Sequence, residues 1–130
     1  MRTLGVGIDL VEVEEVQTAL ARFGDRYLER VFTPHELACA TGEGDGRARQ
    51  LAARFAAKEA AMKALGLADG SPPWRSIEVR RDQGGRCTLL LTGHAAELAD
   101  RAGVRELKVN LTRAGSLAAA VVLALGRDTP

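Results

Sequence analysis

The sequence has few of the residues on which common catalytic and metal sites depend. It contains two histidines and two cysteines in 130 residues. No Gly-x-Ser-x-Gly motif, Cys-x-x-Cys pair or His-Glu-x-x-His motif is present, and there is no Gly-Lys-Ser/Thr loop that would cradle a nucleotide phosphate. The sequence therefore gives no support for a serine hydrolase of the nucleophile-elbow type, a zinc site or a P-loop enzyme.

Long apolar segments are also lacking. The longest uninterrupted run, residues 117–125, is nine residues long, which is about half the length of a membrane-spanning helix. The N-terminal residues include no apolar stretch of the signal-peptide type. Cys39 and Cys87 are too few for a disulfide framework. We therefore predict a cytoplasmic protein with reduced thiols.

The chain also lacks a large net charge. The 18 basic residues balance 17 acidic residues and leave a formal net charge of +1. This balance predicts no general attraction to nucleic acid or to an anionic membrane. Apolar residues make up 46% of the chain, which is enough at this length for one hydrophobic core. We predict a single domain over residues 1–126, followed by a short tail at 127–130.

The spacing of apolar residues predicts an α+β fold. Residues 4–11 alternate as in a half-buried strand, and Asp9 shares one strand face with Gly5 and Gly7, which leaves room for a close neighbour. An alanine-rich stretch over residues 47–65, ended by Gly66, predicts the longest helix. Further helices are predicted at 12–23, 25–32 and 92–101, a capping-box helix start at 33–36, and strands at 77–81, 87–91, 107–112 and 117–125. We expect a largely antiparallel sheet with the long helix packed on it.

Two acidic residues are candidates for a site, and each has a simpler alternative. Helical geometry puts Glu59 at the border of the buried stripe of the long helix, one turn from Lys63. An isolated Glu59–Lys63 pair, worth about 0.3–0.5 kcal/mol, would explain this spacing without any site. Asp9 would likewise serve as a cap for the helix that follows it. If the first strand packs beside the long helix, however, both carboxylates would be able to bind Mg²⁺.

Two motifs resemble those of a known enzyme family. Residues 7–13, Gly-Ile-Asp-Leu-Val-Glu-Val, resemble the opening motif of the holo-acyl carrier protein synthases. Residues 54–66, Arg-Phe-Ala-Ala-Lys-Glu-Ala-Ala-Met-Lys-Ala-Leu-Gly, resemble their second motif. Residues 26–37 and 77–85 are similar to the family's middle segment and to its later strand and turn. The resemblance extends over nearly the whole chain and implies the fold of the small, single-domain type of 4′-phosphopantetheinyl transferase.

The resemblance implies an enzyme that transfers the phosphopantetheine arm of coenzyme A to a serine of an acyl carrier protein. It implies that Asp9 and Glu59 hold Mg²⁺ together with the coenzyme A pyrophosphate, and that Lys63 neutralises or protonates the leaving phosphate. Either Glu59 or a metal-bound water would take the serine proton. The implied neighbours of the coenzyme A phosphates and adenine are Arg54, Lys58 and Gly66. A homotrimer with sites between subunits is implied as well, serving fatty acid or polyketide biosynthesis.

One departure from the family lies near the C-terminus. The family usually has Ser-x-Ser/Thr-His there, whose hydroxyls and histidine help to hold the coenzyme A phosphates, whereas this chain has Asn110-Leu111-Thr112-Arg113. Thr112 keeps a hydroxyl, and Arg113 would bind a phosphate through two hydrogen bonds. Because arginine does not titrate near pH 7, any proton-handling role of the histidine would be lost. The alternative interpretation of Arg113 is an exposed turn residue without a function.

A second departure concerns the carrier protein. Family members usually present basic residues, on the first helix and the short helix after it, to an acidic helix of the carrier. Here the start of the first helix is acidic, with Glu12, Glu14 and Glu15, the last of which stands where the family usually has a basic residue. The helix dipole favours acids there in any case. Basic residues remain further along, at Arg22, Arg26 and Arg30. If the glutamates face the partner, they would repel an ordinary acidic carrier and indicate a dedicated one in a specialised pathway.

These departures leave an alternative function. The chain would then be a divergent family member that binds holo- or acyl-carrier protein without transferase activity, or that acts on the tethered chain. Asn110, Arg113 and Glu15 favour this alternative. The retention of Asp9, Glu59 and Lys63 together favours the transferase.

Overall fold

Five α-helices and five strands are formed by the part of the chain that the structure describes. The computed structural model describes residues 1–67 and 73–128. In chain order the elements are β1 (Arg2–Glu12), α1 (Val13–Phe23), α2 (Asp25–Val31), α3 (Pro34–Cys39), α4 (Asp45–Ala64), β2 (Ile77–Arg81), β3 (Cys87–Leu91), α5 (Gly93–Arg101), β4 (Val104–Ala114) and β5 (Leu117–Gly126). A 3₁₀ turn, Trp74–Ser76, precedes β2. No helix within these residues is long and apolar enough to cross a membrane.

The strands form two antiparallel sheets. The larger sheet has the order β1-β5-β4, and the smaller sheet pairs β2 with β3. In the larger sheet Asp9 lies opposite Ala120, which in turn lies opposite Leu111. The apolar run at the end of the chain forms β5, as predicted, and its alternation buries Ala120 and Val122 while Val121 faces outward. One face of this sheet therefore packs inward, and the other carries exposed side chains.

Glycines let α4 approach β1 closely. Gly5 and Gly7 face the backbone carbonyls of Ala64 and Ala60. A Cβ atom at either glycine would overlap these carbonyl oxygens, so the contact requires glycine. The open strand face predicted from the sequence is the face that receives α4. Asp9 lies on that same face, two residues after Gly7, and is thereby brought against the helix.

The predicted element boundaries lie within three residues of the observed ones. α4 begins at Asp45 rather than at residue 47, so Gly46 lies inside the helix. β4 spans 11 residues, whereas the sequence predicts six, because β5 provides hydrogen-bonding partners along its whole length. The capping box is formed: the Thr33 hydroxyl accepts from the backbone of Glu36, and the Glu36 carboxylate accepts from that of Thr33. α5 begins at Gly93 rather than at residue 92, and Thr92 before it makes no side-chain cap.

Two predictions concern regions at or beyond the described residues. Of the loop predicted at residues 67–73, residues 68–72 lie outside the described part of the chain. β5 ends at Gly126, which is the last residue of the predicted domain. The division into a domain at 1–126 and a tail at 127–130 remains a prediction.

Candidate active site

β1 holds Asp9 against α4 through an ion pair with Lys63. The Lys63 ammonium lies 2.8 Å from Oδ1 of Asp9 and donates a second hydrogen bond, of 3.1 Å, to the backbone carbonyl of Ile8. Only 12% of the Asp9 side chain is exposed, compared with 54% of the Lys63 side chain. The hydrogen bond to Asp9 is the main reason why the pKa of Lys63 is raised. Lys63 therefore stays cationic, and much of its side chain remains open to solvent.

Glu59 joins this pair from the preceding turn of α4. Its half-buried side chain is hydrogen-bonded to that of Asp9. Burial raises the pKa of Glu59 to about 7, with the charge of Asp9 as the second cause. Two carboxyl groups this close repel each other when both are ionised, so the pair favours a shared proton or a cation. Two acids and one ammonium group thus meet at one place on the surface.

The structure shows neither of the simpler roles considered above, an isolated Glu59–Lys63 pair and a helix cap at Asp9. The Lys63 ammonium is directed at Asp9, so an isolated helix pair with Glu59 does not describe its contacts. The start of α1 has no side-chain cap, and the N–H of Val13 donates to the carbonyl of Ser116 at 2.8 Å. Asp9 therefore does not cap α1.

Arg54 presents a buried and incompletely paired guanidinium group. The residue is 7% exposed, and its Nη1 donates to the carbonyl of Gln50 at 3.0 Å. Its Nε is buried without a hydrogen-bond partner. Burial lowers the pKa of Arg54, and the positive charge of Arg81 at the end of β2 also lowers it. An anion at this position would satisfy the free donor and offset the two like charges.

Lys58 lies in the core, and its predicted place beside the coenzyme A phosphates is corrected. Its ammonium is fully buried and lies 2.7 Å from a carboxylate oxygen of Glu36, which is buried as well. It also donates to the carbonyls of Trp74 and Ile77. The other oxygen of Glu36 accepts the N–H of Val79 at 2.8 Å. A lysine ammonium has three donors, and those of Lys58 are engaged inside the protein, so it ties α4 to α3 and β2 instead.

The three remaining predicted contacts lie at the end of α4 and on β4. Gly66 follows the C-terminus of α4 with a φ of +73° and is exposed. Thr112 and Arg113 are on β4, two strands away from Asp9, which corresponds to about 10 Å across the sheet. Thr112 borders the outer sheet face, whereas Arg113 lines a separate cavity with Arg49. One copy of the chain therefore does not bring Thr112 and Arg113 next to Asp9.

The sequence patterns did not predict an aromatic groove beside the acids. The chain has one tryptophan, one tyrosine and three phenylalanines, and four of these five line one cavity of about 450 Å³. Its aromatic walls are Phe23, Tyr27, Phe55 and Trp74. Arg26 and Arg30 line it as well. The concentration of so few aromatic residues at one place distinguishes this cavity from the others.

Two walls of the groove, Phe55 and Tyr27, lie near Glu59. Phe55 is one turn before Glu59 on α4, and its ring centroid is 5.1 Å from that of Trp74. The pKa of Tyr27 is raised to about 12, mainly by burial and then by the negative charge of Glu59. The Tyr27 hydroxyl is therefore close enough to the Glu59 carboxyl to feel its charge.

Known proteins similar to this chain identify its family. A sequence model of the 4′-phosphopantetheinyl transferase superfamily matches residues 5–122. The chain belongs to this superfamily. The holo-[acyl-carrier-protein] synthase of Moorella thermoacetica is 46% identical over 121 residues, which cover 92% of this chain and 92% of the relative. The synthase of the same name from Chloroflexus aurantiacus is 45% identical over 130 residues, covering 91% of this chain and 95% of the relative.

Solved structures of such transferases have the same fold. The Helicobacter pylori holo-[acyl-carrier-protein] synthase in complex with coenzyme A has a TM-score of 0.81 at 25% identity, covering 92% of this chain and 99% of that chain. The Chronobacterium ammoniagenes ACPS–CoA complex has a TM-score of 0.79 at 34% identity, covering 95% and 98%. The predicted family, enzyme class and small single-domain α+β fold are thus confirmed. The alternative of a binding protein without transferase activity is not favoured by these relatives.

Proposed function

We propose that this protein transfers the 4′-phosphopantetheine arm of coenzyme A to a serine of an acyl carrier protein in a Mg²⁺-dependent reaction. The observation that carries the proposal is the meeting of Asp9 and Glu59 beside Lys63. The serine oxygen would form a bond to the phosphorus that carries the pantetheine arm. The bond from this phosphorus to the bridging oxygen would break, which releases adenosine 3′,5′-bisphosphate.

The two carboxyl groups fit a magnesium ion. Mg²⁺ typically binds one or two carboxylates and completes its shell with water and substrate phosphates. Asp9 and Glu59, whose carboxyl groups lie together, would be its protein ligands. A divalent cation would offset the burial and repulsion that raise the pKa of Glu59. When bound, it would neutralise charge on the diphosphate of coenzyme A.

Lys63 would act on the leaving group of the transfer, and Glu59 is one candidate to act on the attacking serine. The exposed ammonium of Lys63, held beside Asp9, would stabilise the charge that develops on the leaving bisphosphate and donate a proton to it. Either Glu59 or a water bound to the metal would accept the proton of the serine hydroxyl. Transfer of this kind depends on positioning and charge neutralisation more than on covalent participation of the protein.

The arginines support binding of the coenzyme A phosphates. The buried Arg54 has an Nε donor without a partner and a like charge nearby at Arg81. A phosphate would accept from this donor and neutralise both guanidinium groups. Arg113, which stands where the family usually has histidine, shares a cavity of about 450 Å³ with Arg49. We propose that Arg113 contributes a second phosphate contact there.

An exposed apolar sheet face supports a homotrimer. Exposed apolar side chains on the face of the larger sheet that points away from α4 are Val6, Ile8, Leu10 and Val121. An apolar patch of this kind on a globular protein usually marks an interface. A neighbouring subunit on this face would bring further contacts for coenzyme A, including Thr112, to a shared site. Sedimentation should give three times the 13.8 kDa chain mass, and Val6→Lys should lower it.

The aromatic groove supports the docking of a carrier protein. Its rings would receive an apolar side chain of the partner, and Arg26 and Arg30 would pair with acidic residues beside it. Because Tyr27 adjoins Glu59, a carrier docked here would present its serine to the acids. We further propose a cytoplasmic location, which is supported by the two free thiols at Cys39 and Cys87.

A mass-shift assay tests the proposed function. Several apo-acyl carrier proteins from fatty acid and polyketide synthesis are each incubated with the protein, coenzyme A and Mg²⁺. At least one carrier should gain the mass of one phosphopantetheine arm, and adenosine 3′,5′-bisphosphate should appear in equal amount. If no carrier gains mass while a holo-carrier binds in calorimetry, the non-catalytic alternative is correct.

A further inference from the structure

We infer that Lys58 is a positioning residue: its buried ammonium group holds three of the four aromatic walls of the groove in the arrangement that receives a carrier protein. These walls are Tyr27, Phe55 and Trp74. The inference rests on the proposed function, because it concerns the groove in which we propose that the carrier docks. It is carried by the contacts that connect the Lys58 ammonium group to the three rings.

The ammonium group of Lys58 holds the turn that carries Trp74. It donates to the backbone carbonyl of Trp74 at 3.1 Å and also to that of Ile77, which follows the 3₁₀ turn. The Trp74 ring in turn lies against Phe55, three residues before Lys58 on α4, with 5.1 Å between the ring centroids. Lys58 therefore ties one groove wall to the helix that carries another.

The same ammonium group lies against the ring that supports Tyr27. The Lys58 nitrogen is 5.8 Å from the centroid of the Phe32 ring, and Phe32 is fully buried. The rings of Phe32 and Tyr27 pack edge to face, with 5.9 Å between their centroids and an angle of 81° between their planes. Aromatic pairs in this geometry have a preferred orientation, so a shift of Phe32 would move Tyr27 as well.

Glu36 fixes the position of the ammonium group. One carboxylate oxygen of Glu36 lies 2.7 Å from the Lys58 nitrogen and also accepts the N–H of Thr33. The other oxygen accepts the N–H of Val79. Both charged side chains are fully buried. The carboxylate is thus anchored by the backbone on two sides, and it directs the ammonium group toward the carbonyls of the turn.

Stability alone does not account for a buried ion pair at this place. The desolvation of two charges often offsets their attraction, and well-packed apolar residues in place of such a pair are often as stable or more stable. The pair provides directed hydrogen bonds, which apolar side chains do not. These bonds hold the groove walls before a partner arrives, and a preformed pocket binds with a smaller entropy cost. We therefore expect the loss of Lys58 to weaken carrier binding rather than the transfer step.

A double variant separates positioning from stability. Lys58→Met with Glu36→Gln removes the ion pair without leaving an unpaired buried charge, and circular dichroism checks that the protein is folded. The KM of an apo-acyl carrier protein should rise roughly tenfold, whereas kcat and the KM of coenzyme A should stay close to the wild-type values. Val122→Ala removes a buried side chain from β5; this control should be destabilised and keep both KM values.

A second variant tests the contact between Lys58 and Tyr27 with the ion pair intact. Phe32→Leu removes the ring that lies between the ammonium group and Tyr27. It should raise the carrier KM and leave the KM of coenzyme A unchanged. If both this variant and the double variant keep the wild-type carrier KM, the inference is wrong.

Tryptophan fluorescence reports on the groove in the free enzyme. Trp74 is the single tryptophan of the chain, and it is half-buried. In the double variant acrylamide should quench its emission more strongly than in wild type, because the turn is no longer tied to α4. The Val122→Ala control should be quenched like wild type. A loss of stability without a change in the groove would leave the quenching of the folded double variant unchanged.

A double-mutant cycle shows whether Lys58 acts through the groove wall. Trp74→Leu removes this wall directly and should raise the carrier KM by itself. When the Lys58→Met and Glu36→Gln changes are added to it, the further rise should be much smaller than in the wild-type background. Fully additive effects would mean that Lys58 acts elsewhere, such as through its neighbour Glu59, and would overturn the inference.

These measurements distinguish the inference from the proposed function, since quenching requires neither carrier nor coenzyme A. Stronger quenching in the double variant of an enzyme that modifies no carrier would contradict the proposed function and keep Lys58 as the residue that positions the groove. Transfer by the wild type, with quenching and carrier KM unchanged in the double variant, would keep the function and overturn the inference.

Discussion

The Lys63 ammonium of α4 lies 2.8 Å from Oδ1 of Asp9 in β1, although the two residues are 54 positions apart in the chain. The same helix carries Glu59, whose side chain is hydrogen-bonded to that of Asp9. The contact exists because Gly5 and Gly7 let the helix backbone lie directly on the strand. The chemistry proposed for this cluster therefore depends on how closely the two backbones pack.

Neutral isosteres of the two acids should abolish transfer. Asp9→Asn and Glu59→Gln keep the shape of each side chain but remove one negative charge from the proposed metal site. We expect a loss of at least about 100-fold in kcat/KM, measured by the mass gain of an apo-carrier, with unchanged circular dichroism. Glu43→Gln changes an exposed loop acid and should retain wild-type activity. Full activity of either site variant would contradict the proposed roles.

Filling the glycine contact should destabilise the fold. A Cβ at position 7 would overlap the carbonyl oxygen of Ala60, so Gly7→Ala should cost about 1–3 kcal/mol or more in the free energy of unfolding. Urea denaturation measures this cost. Gly46→Ala is the matched control, because Gly46 lies inside α4 with open space around its Cβ position. That change should stabilise the protein by about 0.4–1 kcal/mol; equal effects at both glycines would contradict the packing described.

The raised pKa of Glu59 predicts a pH dependence of stability in protein freed of metal by EDTA. This pKa is about 7 in the folded protein, compared with an ordinary value of 4.5. Between these values the folded state binds more protons than the unfolded state, so this group's contribution to stability is lost as the pH rises from about 4.5 to 7. Glu59→Gln should flatten the fall of Tm with pH over this range, whereas Glu43→Gln should not. A slope that is identical in wild type and Glu59→Gln would show that Glu59 titrates normally.

Removing the buried ammonium of Lys58 should be more harmful than removing the whole ion pair. Lys58→Met leaves the buried carboxylate of Glu36 without its cation, which typically costs about 3–5 kcal/mol. Adding Glu36→Gln to this variant should restore part of the loss, because the neutral amide oxygen is still able to accept the backbone hydrogen bond from Val79. Urea denaturation of both variants makes the comparison. If Lys58→Met alone is as stable as wild type, the structural role assigned to Lys58 is wrong.

Local sequence patterns were sufficient to predict strand β1 and its open, glycine-lined face. Alternation places Gly5, Gly7 and Asp9 on one side of a strand, and glycine there indicates a close neighbour. Alternation does not say which element that neighbour is. The pairing of this face with α4 came from the family resemblance, and the structure confirms it.

The different positions of Lys58 and Lys63 show where such patterns fail. Both lysines belong to one motif on α4, and the family resemblance implied that both contact coenzyme A. Alanine occurs on nearly every side of this helix, so its sequence has no distinct polar face from which burial could be inferred. The burial of Lys58 is decided by α3 and β2, which are distant in sequence. The aromatic groove was missed for the same reason, because its walls come from α1, α2, α4 and the turn before β2.

The location of a bound divalent ion tests the central claim most directly. Crystals grown with Mn²⁺ in place of Mg²⁺ and with coenzyme A would show the metal by its anomalous scattering. We predict a peak within coordination distance of both the Asp9 and the Glu59 carboxylates, with a coenzyme A phosphate as a further ligand. Bound coenzyme A with no metal touching both carboxylates in any subunit would contradict the proposed site.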